Sequence, residues 1–419
     1  MFKKLIKAIF DHGFFVGTSL LINIFLIQNV DQAEFGLYVF FYTFYIFVYG
    51  LHQAMIIEPY SVFSVGKLSE SATGYYQYFL SLQFRLFLVV LLFSFAVTIL
   101  ANIFFQRSFQ EVVFLNLIIL FGSISLLWQF CRVRFYGQDN EIFSVMAGML
   151  YFLTVFFSCL LLFLFDFISA INTFLVFLFS YTAPLILGIY INRRFLDSSE
   201  KKYFFEEEYW SMHFDYSKWI ILIALIVPFY FNSYYWYLGY LSKFEVVAEI
   251  RSVLLITGIF QQFLVSVYLV ILKDLSSILK KESLSTLWKR SVKLYTLGFF
   301  ALSIFYIPLI LFGKEVIMLL YGSDYIQTAT ALKFGIIING LQLAFFILNT
   351  ALKTIYKPQA IFLAYVSGSL ITLTIGFNLV IKLGFMGAIY GLIFSEISMV
   401  LILIIFFARY RKQFANKNG

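Results

Sequence analysis

A small set of ionisable side chains stands inside, or at the ends of, long apolar runs: Asp11, His12, His52, Glu58, Arg85, Glu249, Arg251, Lys353 and Glu396. A charged group at the centre of a bilayer costs roughly 3 kcal/mol or more, so such residues face a cavity or a partner. Arg85 and Arg251 carry planar guanidinium forks that match paired phosphate oxygens. His12 and His52 suit proton relay, or anion binding when protonated. Asp11 and Glu396 are the carboxylates placed to carry a coupling ion, and Lys353 adds a point charge. Each also has a plainer reading. Arg85, near the start of its run, can snorkel to headgroups. Arg251 has Glu245 and Glu249 close by in sequence. Asp11 and His12 can lie at the interface, Glu58 before Pro59 can mark a helix end, and Glu396 can pair with Lys353 or with a polar group on the same helix as Lys353.

Other chemistry is not signalled. No Gly-Lys-Ser/Thr phosphate loop, His-Glu-x-x-His or Gly-x-Ser-x-Gly occurs, so no catalytic residue and no cofactor is expected. The two cysteines, Cys131 and Cys159, give no disulfide framework, and three scattered histidines give no metal motif. The net charge of +8 arises from basic residues flanking apolar runs, which points to membrane orientation rather than to nucleic acid.

The elements that must position these groups follow from composition. Of 419 residues 62% are hydrophobic and only 12% charged, against about 25% charged in soluble domains. With 56 Phe and 29 Tyr, an aromatic lipid-facing surface is expected. A spanning helix needs about 20 mostly apolar residues. Twelve such runs are read: Leu5–Val30, Phe35–Ile57, Tyr78–Phe105, Val112–Phe130, Ile142–Phe165, Ile168–Ile191, Trp219–Leu241, Val246–Leu272, Leu294–Phe312, Ala329–Leu352, Ala360–Leu383 and Phe385–Ala408. Alternation of apolar and polar residues is absent, which argues against a barrel. The start, Met1–Lys7, reads as the lead-in to the first helix rather than a cleaved signal, because Asp11 and His12 interrupt the apolar stretch.

With the N-terminus inside, 23 of the 30 Lys and Arg fall inside, Arg132 and Arg134 among them as loop cations. Five fall outside (Arg107, Lys243, Lys314, Lys333, Lys382) and two within helices (Arg85, Arg251). That asymmetry is a positive-inside signal and places both termini in the cytoplasm. The charged stretch around Glu206 divides six helices from six, giving residues 1–192, a linker 193–217, and residues 218–419. Glu34 opens the second run and Glu245 the eighth, 211 positions later, an echo of a repeat whose interface would hold a substrate. Pro184, Pro228 and Pro308 fall inside runs six, seven and nine and predict bends.

Four segments resemble the polysaccharide, or O-antigen repeat-unit, flippases of the multidrug/oligosaccharidyl-lipid/polysaccharide exporter superfamily. They are Val30-Asp-Gln-Ala-Glu-Phe-Gly-Leu-Tyr38, Leu51-His-Gln-Ala-Met-Ile-Ile-Glu-Pro59, Phe312-Gly-Lys-Glu-Val-Ile-Met-Leu-Leu-Tyr-Gly-Ser-Asp-Tyr325 and Gly384-Phe-Met-Gly-Ala-Ile-Tyr-Gly391. The family's usual Gly-Pro is Asp31-Gln32 here. These motifs mark turns more than chemistry. The resemblance implies an all-α integral membrane protein, two six-helix lobes in a V around a central cavity. It implies a flippase, not an enzyme, in the bacterial cytoplasmic membrane, moving an undecaprenyl-diphosphate-linked oligosaccharide to the outer leaflet. The polymerase and glycosyltransferases of the same route would be its partners, besides membrane lipids; nucleic acid would not.

On that reading Arg85, Arg251, His12, His52, Asn339, Gln342 and Lys353 are candidates for substrate binding, and Asp11 and Glu396 for ion coupling. Asn339, Gln342 and Asn349 recur at spacings that share one helix face. Their amides suit sugar hydroxyls, or glue between helices. A drug antiporter of the same superfamily would instead want acids deep in the cavity and few cations. A membrane-embedded polysaccharide polymerase or glycosyltransferase would want a larger catalytic loop.

Overall fold

The computed structural model describes residues 2–65, 72–104, 109–137, 141–196, 206–281, 284–355 and 357–415. No strand occurs among them. In hydrocarbon each backbone N–H and C=O must find its partner within the segment, and the helix does this for every apolar run. The first half comprises α1 (Phe2–Asn29), α2 (Gln32–His52), a π-helical turn (Gln53–Ile57), α3 (Glu58–Val65), α4 (Ala72–Phe104), α5 (Phe109–Gly137), α6 (Glu141–Leu164) and α7 (Ala170–Leu196). The second comprises α8 (Glu206–Phe231), α9 (Ser233–Tyr240), α10 (Phe244–Lys281), α11 (Leu284–Leu311) and α12 (Gly313–Tyr321). A 3-10 turn (Ser323–Thr328), α13 (Ala329–Thr354), α14 (Pro358–Ile371), a π turn (Thr372–Gly376), α15 (Phe377–Leu383) and α16 (Phe385–Ala415) complete it.

Each of the twelve apolar runs has its helix, or helices in series. Among the described residues ten helices are long and apolar enough to cross a membrane, eleven when a bent pair is taken as one span. The 38 residues of α10 supply a further segment of sufficient length, about 57 Å at 1.5 Å per residue. Helix ends overrun the apolar runs: α10 continues to Lys281 and α16 to Ala415. Hydropathy marks only the part in lipid, whereas the hydrogen-bond ladder continues into water. The expected linker is partly helix, since α8 begins at Glu206; residues 197–205 and Arg107 lie outside the described residues.

Of the three expected proline bends, one is marked. Ile220–Phe231 and Ser233–Tyr240 meet at 53°, with Asn232 N donating to Pro228 O at 2.7 Å. Pro184 and Pro308 sit inside the continuous helices α7 and α11.

The chain forms two compact units. Unit 1 is Met1–Val30 with Phe41–Ala224, and unit 2 is Asp31–Phe40 with Leu225–Gly419. The first turns of α2 therefore belong with the C-terminal helices, for local reasons. Asp31 Oδ1 caps the helix by accepting from Glu34 N at 2.7 Å. Gly36 has no Cβ; one would stand 1.8 Å from the Phe244 carbonyl oxygen, so only glycine admits α10 this closely. Phe40 meets the Phe244 ring edge-on at 6.0 Å, and Gln32 Nε2 donates to Asp324 O at 2.7 Å.

The aromatic residues are divided between surface and core. Exposed phenylalanines do line the outside, but the tyrosines largely turn inward. In unit 1, Tyr60, Tyr75, Tyr76, Phe79 and Phe130 form one cluster, with Tyr76 and Phe130 stacked at 5.0 Å. A phenol has an apolar body and a polar tip, so it fills a core while its hydroxyl reaches a partner.

Candidate functional site

Among the described residues, each unit contains a buried polar cluster around a carboxylate. In unit 1, α1 carries Asp11 against α5 and α6, fully buried. Arg132 of α5 places Nη2 at 2.5 Å and Nε at 2.9 Å from Asp11 Oδ2. Ser144 Oγ donates to the same oxygen at 2.8 Å, and Arg132 Nη1 donates to Gln129 Oε1 at 3.2 Å. The guanidinium lies 4.4 Å over the Phe15 ring. Two positions on, Arg134 is only 2% exposed and lies 4.3 Å over the Tyr76 ring.

This corrects the placing of Arg132 and Arg134 as loop cations. Helix α5 runs on to Gly137, and the carboxylate and two aromatic faces compensate the buried charge. Asp11 is accordingly an ion-paired core residue, at the start of the apolar span that begins at Phe10. His12, beside it, is half-buried.

His52, at the end of α2, is buried with Nε2 2.9 Å from Gln83 Oε1 of α4. Arg85 follows Gln83 by two residues, about 200° around the helix, and is exposed. Its exposed neighbours are Phe84, Leu86, Leu88 and Val89, the last 61% accessible. Among the described residues it makes no ion pair. His52 and Arg85 are thus on one helix pair but not on one site.

In unit 2, Glu396 of α16 is 1% exposed. The Tyr230 hydroxyl of α8 donates to its Oε1. The Gln342 amide of α13 lies against both, and Gln342 Oε1 accepts from Gln261 of α10. Glu396 Oε2 has no partner among the described residues. Nearby, Thr372 of the π turn donates to Tyr230 O at 3.1 Å and shares a 2.8 Å hydrogen bond with Ser395. Asn339 Nδ2 reaches Thr257 O and Tyr306 Oη, both at 2.7 Å.

Asn339 and Gln342 do share one face of α13, turned to α10. Gln342 meets Glu396, while Asn339 joins helices. Lys353, on the last turn of α13, is exposed and does not join Glu396. Arg251 is half-buried beside Tyr235 and Tyr321, while its sequence neighbour Glu249 accepts from Gln327.

The sequence reading missed Arg132, Ser144 and Tyr230 as members of these clusters. For Arg132 a signal existed: Asp11 needs a cation. Tyr230 had none, being one of 29 tyrosines in apolar surroundings.

Chemically, the unit 2 cluster offers a buried acid with one free oxygen, a phenol donor and two amides. Such a set can hold a proton or a small cation. Among the described residues no group of three or more His, Cys, Asp or Glu converges on one point.

No protein-family model matches the sequence, and no curated protein matches it. Solved structures do match the fold. An inward-facing multidrug-resistance transporter of the MATE family, in the MOP superfamily, superposes with a TM-score of 0.79 over 96% of both chains at 10% identity. The lipid II flippase MurJ, in an inward closed conformation, gives 0.66 over 96% of this chain and 86% of that one at 15% identity. A MOP-superfamily transporter from Pyrococcus furiosus, described as having a binding pocket of reverse polarity, gives 0.69 over 97% and 95% at 11% identity. The chain thus has the all-helical fold of these transporters.

Proposed function

We propose that the chain is a transporter that moves a lipid-diphosphate-linked oligosaccharide of the undecaprenyl type. Movement is from the inner to the outer leaflet of the bacterial cytoplasmic membrane, by alternating access, with both termini cytoplasmic. Arg85 carries this reading. It is a cation on a helix surface of exposed apolar side chains, within the span Thr73–Leu92, with no ion pair among the described residues. A guanidinium at such a position needs an anion, and a lipid-borne diphosphate supplies two or more negative charges and a matching fork geometry. Arg251 in unit 2 adds a second cation, and His12, His52 and Lys353 further polar contacts. The Gln342 amide supplies hydrogen bonds to sugar hydroxyls. Glycosyltransferases of the same route supply the substrate and a polymerase consumes it.

An ion gradient, the membrane potential or consumption of the product outside supplies the energy, and in the ion-coupled form Glu396 carries the ion. In this reading Asp11 acts through its pair with Arg132. The second reading is an ion-coupled multidrug antiporter. The buried Glu396 favours it, since a carboxylate suits a cationic drug.

The test is Arg85→Ala in a strain lacking the native protein. Loss of surface glycan, with lipid-linked repeat units accumulating inside and normal membrane insertion, supports the flippase. Normal glycan export by Arg85→Ala overturns it. Restored drug efflux without restored glycan supports the antiporter.

A further inference from the structure

An open cavity of about 460 Å³ lies at one end of unit 2, lined by Asp31, Gln32, Ala33, Glu245 and Asp324. Three segments build it: the entry to α2, the first turn of α10, and the 3-10 turn before α13. No residue assigned to transport above lines it.

Asp31, Glu245 and Asp324 are exposed there, and Glu249, one turn along α10, is buried. Each acid has a local reason, because a carboxylate near a helix start suits the N-terminal dipole. Asp31 Oδ1 caps α2, Ser323 Oγ donates to Asp324 Oδ1 at 3.1 Å, and Gln327 donates to Glu249 Oε1. In each of these three, the second carboxylate oxygen has no hydrogen bond among the described residues.

Helix dipoles account for each acid alone, but not for the charge they hold together. Glu245 repels Glu249. None of the four acids forms an ion pair among the described residues. Lys243 is exposed and pairs with none of them, and Arg251 lies beside Tyr235 and Tyr321.

Tyr325 gives an independent sign of a ligand. It is 1% exposed and meets the Tyr321 ring edge-on at 6.0 Å. Its hydroxyl has no hydrogen-bond partner among the described residues, whereas a buried phenol usually has one. The charges of Asp324, Glu249 and Asp31 all act on that hydroxyl, so it is aimed into the acid cluster. A phenol oxygen offers lone pairs to a cation or its waters, and a proton to a water.

Charge and size define the ligand. Four carboxylates without a counter-charge call for a cation. No three of them converge on one point, so a bare ion in an all-protein cage does not fit. Six waters occupy roughly 180 Å³ at their liquid share, so an ion with its first water shell fits in about 460 Å³. A small divalent cation keeps several waters and is held through one or two carboxylates.

We propose that this cavity binds a hydrated divalent cation of the Mg²⁺ type, which braces the entry to α2 against α10 and the 3-10 turn. The same segments already meet where Gly36 abuts Phe244 and where Gln32 donates to Asp324. The ion adds neutralisation to that junction. In the orientation proposed above this end faces outside, but binding depends neither on that orientation nor on the transported substrate.

The experiment uses the full chain purified in nonionic detergent and stripped of metal with EDTA. Mn²⁺ is the probe, read by the water-proton relaxation that rises when a hydrated ion is immobilised, and Mg²⁺ is the competitor. The expected result is one saturable site with a Kd on the order of 10⁻⁴–10⁻³ M, emptied by Mg²⁺. The melting temperature should rise with Mg²⁺ and then level off. Glu245→Gln/Asp324→Asn should weaken Mn²⁺ binding about tenfold or more. Without metal it should melt no lower than wild type, because it removes like charges. Asp324→Asn alone should weaken binding in the same direction, and Tyr325→Phe by a smaller factor. Absence of saturable Mn²⁺ binding overturns the proposal, as does unchanged affinity in both the single and the double carboxylate variants. A melting shift reproduced by KCl at equal ionic strength would mean screening alone and would overturn it too. Displacement of Mn²⁺ by spermidine at lower concentration than by Mg²⁺ would make the ligand an organic cation and overturn the assignment to a metal ion.

Discussion

Arg132 meets Asp11 with two nitrogens aimed at one oxygen, Nη2 at 2.5 Å and Nε at 2.9 Å from Oδ2, and Ser144 adds a third donor to that oxygen. The pair ties α1 to α5 and α6 inside unit 1. Removing one partner strands a buried charge, so Arg132→Ala and Asp11→Asn should each destabilise by roughly 3 kcal/mol. The double variant Asp11→Asn/Arg132→Gln should cost less than the sum. Thermal unfolding of the purified variants in detergent measures this, and strictly additive losses would show that the two residues are not coupled.

Glu396→Gln keeps the shape of the side chain and an oxygen for the Tyr230 hydroxyl, but it cannot take up or release a proton. The variant should fold and exchange substrate, while gradient-driven transport falls by an order of magnitude or more, about 1.4 kcal/mol in activation free energy. Counterflow and gradient-driven uptake in proteoliposomes separate the two. Full gradient-driven uptake by Glu396→Gln would remove this residue from coupling.

Tyr234 is wedged between two glycines. A Cβ at Gly391 would stand 2.1 Å from its hydroxyl oxygen, and one at Gly376 would stand 2.2 Å from it. Gly391→Ala should therefore cost about 1–3 kcal/mol of stability by overpacking. Tyr234→Phe removes that oxygen and leaves the ring carbon Cζ at 3.1 Å from the added methyl, so the double variant should recover part of the loss. Melting temperatures of the three variants decide; no recovery would place the strain elsewhere.

Burial pushes the pKa of His213, on α8 before its apolar part begins at Ile220, down from 6.5 to about 4, and this makes a statement about stability. Between pH 6.5 and about 4 the unfolded chain binds a proton at this residue that the folded chain refuses. Stability from this site is therefore fully present above 6.5 and declines as pH falls toward 4. His213→Gln should show a flatter profile of melting temperature against pH over that window. An identical slope in both proteins would assign the acid sensitivity to other groups.

The helices were legible because a 20-residue apolar stretch has one way to satisfy its backbone in lipid. Their ends were not, since Lys281 and Ala415 continue a ladder that hydropathy does not see. Asn339 and Gln342 were placed on one face by spacing alone, and they do face α10 together. The partners of Asp11 and Glu396 were not legible. Arg132 read as a flanking cation because a positive charge after an apolar run usually ends a span. Here Asp11, more than a hundred residues earlier, compensates it. Tyr230 was hidden among apolar neighbours, and the π turns at Gln53 and Thr372 have no composition of their own.

Gly36 meets the Phe244 carbonyl, and the two residues are about 200 positions apart in the order of synthesis. At roughly 5–20 residues per second, the opening turns of α2 leave the ribosome some 10–40 s before the helix that will cover them. During that interval they belong to no finished unit, although the remainder of α2 can already settle among α4, α5 and their neighbours. Assembly of this protein is therefore not a matter of one half folding and then the other. The earliest hairpin keeps an open face until the tenth helix arrives, and an N-terminal half made alone would never close it.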